Sequence, residues 1–175
     1  MAKKTYSTGA VMKTDNKRTN KKRIKLGDVI EVVISDNKWS YVQYVYNHNQ
    51  PPHLGTLIRV FPLQYTNQIL DYDFFDTLKE SFVVFCPVAT YVRRGIMNVI
   101  CNRPVPDCFA TMPTFRAPLR NISTGKTTWW LWDGVNEVYI GTLDSETITL
   151  PIRQLINYEE LKNQIVASWT PAQDI

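Results

Sequence analysis

The 175-residue chain contains no apolar run approaching the length of a membrane-spanning helix, so no transmembrane segment is expected. Its basic N-terminus is not followed by an apolar stretch, and no secretory signal peptide is expected. HExxH, GxSxG and GxGxxG are missing, and no pair of carboxylates has the context of a catalytic dyad. Gly125-Lys126-Thr127 resembles the end of a phosphate-binding loop, but Arg120 stands where the first glycine belongs and a strand follows instead of a helix. No internal repeat is present.

Histidine and cysteine are scarce. His48 and His53 are the only histidines, five residues apart in a proline-containing segment. A zinc site there would need further ligands, for which Cys101 and Cys108 are the candidates, but their spacing is not of the CxxC type. Solvated loop histidines are the plainer reading, and no metal or cofactor is expected. The cysteines Cys86, Cys101 and Cys108 are odd in number and not spaced as in secreted scaffolds, which points to reduced thiols in a cytoplasmic protein. Cys86 ends the apolar run FVVFC, where it serves as a small hydrophobe. A nucleophilic Cys108 would need a helix N-terminus or a cation beside it, and the sequence supplies neither. An inert, partly buried thiol is the expectation.

Charge is divided along the chain. Residues 1–25 hold nine Lys/Arg and one acid, a local +8, while residues 26–175 hold eleven Lys/Arg and fifteen Asp/Glu, a local −4. Residues 1–22 read as a disordered basic arm. Residues 23–175 read as a single β-rich domain, long enough to bury a core. Lys17, Arg18, Lys21, Lys22, Arg23 and Lys25 could neutralise phosphates, which makes a nucleic-acid-binding β-barrel module the alternative function. The acidic body argues against it, because a nucleic-acid surface normally extends across the folded part.

Strand signals dominate what is there. Val29–Ile34 is apolar and β-branched, Ser35–Lys38 is a turn cluster, and Trp39–Tyr46 is aromatic and β-branched, which predicts a hairpin with a four-residue loop. Pro51 and Pro52 interrupt the pattern, and Thr56–Phe61 resumes it. Phe82–Cys86 predicts a central buried strand, and Ala89–Ile100 a further strand with a bulge or turn at Gly95. Four prolines make 102–118 mostly irregular, with Thr114–Arg116 a brief extended piece. Thr127–Trp132 (TTWWLW) and Glu137–Ile140 form a second hairpin around Asp133–Asn136, with Trp130 on one face and Trp129 and Leu131 on the other. Glu146–Leu150 is a candidate last strand. Asn157 then caps a helix whose Leu161, Ile165 and Trp169 form one apolar stripe, stopped by Pro171. The fold class is β-rich α+β: a bent antiparallel sheet or small, partly open barrel with a C-terminal helix.

One segment suits partner binding. Asp71-Tyr72-Asp73-Phe74-Phe75-Asp76 alternates acids with aromatics, so the acids can steer an encounter while the aromatics supply contact area. Asp71 or Asp73 can cap a short helical turn there. The competing reading puts Phe74 and Phe75 in the core with the acids facing water.

The first hairpin carries a family resemblance. Lys25-x-Gly27-Asp28-Val29-x-x-Val32 followed by Asp36-Asn37-Lys38-Trp39-x-Tyr41-x-Gln43 resembles the opening of the twenty-sixth numbered family of bacterial immunity proteins, which are encoded beside polymorphic toxins. The proline-containing middle, the strand TTWWLWDG and the strand after it are similar in kind, and the likeness spans most of residues 22–155. Val42 and Tyr44 flank Gln43 where that family commonly has a small residue. The resemblance implies a cytoplasmic, non-enzymatic protein that binds and neutralises one cognate toxin, such as a basic nuclease-type domain, and it brings no catalytic residues. The expected contacts are Asp71, Tyr72, Asp73, Phe74 and Asp76, followed by Trp39, Tyr41 and Tyr44. An enzyme with a site near His48, His53 and Cys108 is the third possibility.

Overall fold

The computed structural model describes residues 23–62, 64–66 and 71–175. Strands β1 (Asp28–Ser35), β2 (Lys38–His48) and β3 (Gly55–Val60) form a meander. The short helix α1 (Phe74–Thr77) leads to β4 (Phe82–Phe85), helix α2 (Val88–Arg93) and β5 (Asn98–Asn102). Strands β6 (Phe115–Arg120), β7 (Thr127–Trp132) and β8 (Glu137–Gly141) follow, and helix α3 (Tyr158–Val166) comes last. The antiparallel order is β4-β3-β2-β1-β5 in the large sheet and β6-β7-β8 in the small one. Both sheets are open, so the fold is a β-rich α+β arrangement without a closed barrel. Among the described residues no helix is long and apolar enough to cross a membrane.

The period-two pattern of the large sheet sends successive residues to opposite layers. Ile30, Val32, Val42, Ile58, Val84 and Phe82 face α2 and α3, where Leu161, Ile165 and Trp169 complete the core. The Trp169 ring meets Phe82 edge-on at 5.0 Å. On the opposite layer, Val45, Leu57, Val83 and Phe85 pack against Phe109, Phe115 and Trp132 of the small-sheet side. Beside that cluster, Val29, Tyr41 and Phe61 receive Phe75 from α1. Two different coverings therefore share one face of the large sheet, and the buried polar residues Gln43 and Arg59 also lie in the sheet interior.

Several local expectations are corrected. The first hairpin turns on two residues, Asp36 and Asn37, because Ser35 pairs with Lys38 after a bulge. The strand β4 is fully buried, yet it lies at the end of the sheet order, where Leu155 bridges Phe85 in parallel. The first half of Ala89–Ile100 is helical, and the chain turns at Gly95 (φ +72°) before β5 begins. The six-residue strand β6 takes in the end of the proline-rich stretch, from Phe115 to Pro118, and runs on to Arg120. Arg116 N–H points away from β7 to Pro151 O (2.8 Å), so Pro118, two residues on, turns its donor-free nitrogen to the same outer side and removes no bond to β7. Residues 147–149 form a 3₁₀ turn instead of a strand, because Asp144 Oδ1 accepts from the Glu146 and Thr147 amides (3.1 and 2.8 Å). Helix α3 carries the expected Asn157 cap, whose Oδ1 accepts from Glu160 N at 2.9 Å, but it ends at Val166, well before Pro171.

Candidate partner-binding surface

The acidic-aromatic segment is anchored from two directions, and neither anchor belongs to the segment. The inner anchor begins with Gln43 and Arg59, cross-strand partners on β2 and β3. Both are buried. A buried amide and a buried guanidinium are costly unless every polar atom is matched. Arg59 Nε donates to Gln43 Oε1 at 2.7 Å. Its Nη1 donates to Leu78 O at 3.1 Å and its Nη2 to Phe75 O at 3.3 Å. These carbonyls belong to α1 and the residue that ends it, so the cation sits where a helix leaves its carbonyls unpaired. The guanidinium also stacks 4.8 Å from the Phe61 ring centre and faces Glu80 at 3.9 Å. Burial lowers the Arg59 pKa, and Glu80 acts against that shift.

Gln43 Nε2 in turn donates to Gly27 O, Arg103 O and Pro104 O at 3.1, 3.0 and 3.2 Å. Gly27 adopts φ +89°, and a Cβ there would lie 2.4 Å from Arg103 O, so only glycine fits this crossing. Asp28 closes the turn: its Oδ2 accepts from Lys25 N at 2.7 Å and its Oδ1 from Asn102 Nδ2 at 2.8 Å. The Gly-Asp turn and Gln43 therefore fix the backbone position of Arg103.

Arg103 is the outer anchor. Its guanidinium takes Asp73 at 2.7 Å and grips both oxygens of Asp76. The hydrogen bond from Arg103 holds the Asp76 carboxyl below the usual carboxylate range. The pairing also raises the Arg103 pKa. Phe75 is buried between Tyr41 and Phe61, with ring centres 5.2 Å away in both cases. Asp71, Tyr72, Asp73 and Asp76 stay exposed, with Phe74 half-buried beside them. Asp71 Oδ1 accepts from Asp73 N at 3.1 Å, while Asp73 itself makes no side-chain cap.

The expected contact residues thus fall into three groups. Asp71, Tyr72, Asp73, Phe74 and Asp76 are brought together on one anchored tip, with Asp73 and Asp76 engaged by Arg103. Tyr41 is 1 % exposed and belongs to the core beneath that tip, which takes it out of any contact surface. Trp39 is half-buried and pairs through its backbone with Tyr65 (2.9 and 2.7 Å), packing against the same cluster. Tyr44 lines a hollow of about 450 Å³ with Leu26, Tyr46, Val105 and Asp107. Burial raises the Tyr44 phenol pKa. Gln43, Arg59 and Arg103 were not legible as a set. The signals were a lone cation within the apolar strand TLIRVF and a lone amide within the aromatic strand WSYVQYVY.

The remaining candidates are placed as follows. His48 is buried, which corrects the loop-histidine reading: Nε2 donates to Gly134 O at 2.9 Å and the ring lies 5.0 Å from that of Trp132. His53 is exposed in the loop. Cys86 is buried and its thiol is pushed up to about 12 by desolvation, whereas Cys108 is exposed, not partly buried. Among the described residues no group of three or more His, Cys, Asp or Glu could hold a metal ion. The arm cations Lys17, Arg18, Lys21 and Lys22 lie outside the described residues.

No protein-family model, curated protein or solved structure matches this chain.

Proposed function

We propose that the protein is a non-catalytic immunity protein that binds a cognate toxin of the polymorphic kind and neutralises it by covering its surface. The observation that carries this reading is the exposed tip Asp71-Tyr72-Asp73, presented on a segment fixed by Arg59 from within and by Arg103 from outside. A segment already ordered in the free protein loses little conformational freedom on binding. Three carboxylates against one guanidinium leave the tip net negative, which suits a basic partner and accelerates its approach. The residues that carry the family resemblance support the reading in a second way, because Gly27, Asp28 and Gln43 are the ones that position Arg103.

The test is to read the gene next to this one for a variable C-terminal toxin domain and co-express that domain with the protein, followed by co-purification and a growth-protection assay. A stable complex and protected cells are expected. Asp71→Lys should slow association and weaken its salt dependence. Failure to bind or protect against that neighbouring toxin would end the immunity reading, and an unchanged on-rate would remove the tip alone.

A further inference from the structure

We propose that the hollow beside the start of β1 binds an organic cation, an ammonium or guanidinium group carried on an apolar stem. The hollow exists because β2 outruns β1. Their pairing reaches back to Val29 opposite Gln43, with Gly27 N–H donating to Tyr44 O at 2.8 Å, and β2 then runs on to His48. Val105, Asp107 and Phe109 supply the other wall. Gln43 places that wall by holding the Arg103 and Pro104 carbonyls. A 3₁₀ turn then fixes it, with Phe109 N–H donating to Pro106 O and Ala110 N–H to Asp107 O, both at 2.9 Å.

On a regular strand successive side chains leave on opposite faces. A bulge lies between Tyr44 and Tyr46, and bulges re-aim the side chains beside them. Tyr44, Val45 and Tyr46 accordingly line the same hollow. Val45 and Phe109 are buried, and the two tyrosines are half-buried. The volume of about 450 Å³ falls within the range of small-ligand sites, about 300–1,000 Å³.

The polar groups at the hollow accept hydrogen bonds. Asp107 is the one charged residue among the described residues that line it. Its carboxylate is exposed and has no hydrogen bond or ion pair among the described residues. Asn47 Nδ2 is engaged by Asn49 Oδ1 at 2.6 Å, which leaves Asn47 Oδ1 as an acceptor. Aromatic rings attract ammonium and guanidinium groups as well. An anion would be repelled by Asp107, and a wholly apolar ligand would cover that carboxylate without pairing it. A cation on a stem meets both demands, with its head at Asp107 and its stem against Leu26 and Tyr46. Two sources carry this chemistry: a free alkylamine, and the lysine or arginine side chain of a protein. No residue of the acidic tip lines the hollow, so this site stands or falls independently of toxin binding.

Amide NMR titration of the full chain with n-butylammonium, n-butylguanidinium, 1-butanol and butyrate tests it. Both cations should bind with millimolar dissociation constants and shift the amides of residues 44–47 and 107–110. The alcohol and the carboxylate should bind about tenfold more weakly or not at all. Asp107→Asn, at an exposed side chain, should weaken cation binding about threefold or more, and Tyr46→Leu by a similar factor. Far-UV circular dichroism checks that both variants keep the fold. Tighter binding of Nα-acetyl-lysine methylamide than of n-butylammonium assigns the site to a protein side chain, and the reverse order assigns it to a free amine. Equal shifts with 1-butanol would overturn the proposal. So would cation shifts confined to residues 71–76, or an affinity that Asp107→Asn leaves unchanged.

Discussion

Gln43 and Arg59 stand opposite each other on β2 and β3, and the amide oxygen of the first takes Nε of the second at 2.7 Å inside the sheet. Each satisfies the other and then reaches a different covering element: Gln43 the Gly27 and Arg103 carbonyls, Arg59 the end of α1. Removing one member strands the other. Gln43→Leu is expected to cost about 3 kcal/mol, because it leaves Arg59 Nε and three carbonyls without that partner. Urea denaturation of Gln43→Leu, Arg59→Leu and the double variant closes the cycle. The double variant should lose less than the sum of the singles, and strict additivity would refute the coupling.

Gly27→Ala is expected to destabilise by about 2 kcal/mol or more, combining a left-handed backbone with a Cβ driven into Arg103 O. The same variant should loosen the acidic tip, since Arg103 moves with its carbonyl. Hydrogen exchange over residues 71–78 reads this directly, and unchanged protection there would contradict it.

Asp76 links the tip to acid stability. Its folded pKa lies below the unfolded one because Arg103 donates to the carboxylate. The contribution is therefore fully present above the unfolded aspartate pKa and is lost as pH falls through the folded value. The wild-type melting temperature should fall more steeply below about pH 4 than that of Asp76→Asn, whose curve lacks this term. Parallel acid limbs would show that the pair does not stabilise the fold. The effect is modest, since the carboxylate is more than one-third exposed and water screens it.

The three thiols should separate by rate. Cys108 is exposed and should react first with a thiol reagent, with half-buried Cys101 slower. Cys86, buried and with its thiol pushed up to about 12, should react only on unfolding. Titration with Ellman's reagent in buffer and then in denaturant counts each class. Native labelling of Cys86, located by mass spectrometry, would contradict the packing around β4.

Sequence periodicity carried the first hairpin, the TTWWLW hairpin and α3, because each has an apolar rhythm and a local punctuation mark that starts or turns it, although the first turn is tighter than its polar cluster and α3 ends before Pro171. Where punctuation was ambiguous, tertiary contacts decided. Pro118 reads as a breaker but sits on the outer side of β6, a fact fixed by Pro151 more than thirty residues away. Asp144 turns 147–149 into a 3₁₀ turn against its β-branched composition. The candidate site was half legible. Alternation of acids and aromatics marked the tip, and Phe75 proved to be the residue it buries. The anchors were not legible, since Arg59 finds its carbonyl acceptors 16 and 19 residues along the chain and Arg103 finds its carboxylates 27 and 30 positions back.

The segment 151–156 has a consequence for synthesis. It seals β4 and β6 at once, yet it is translated after all eight strands. A nascent chain paused before it would hold two open ladders outside the ribosome, each able to recruit a neighbour. Emergence of residues 151–156 therefore decides whether these two ladders are covered or stay available as templates for clumping.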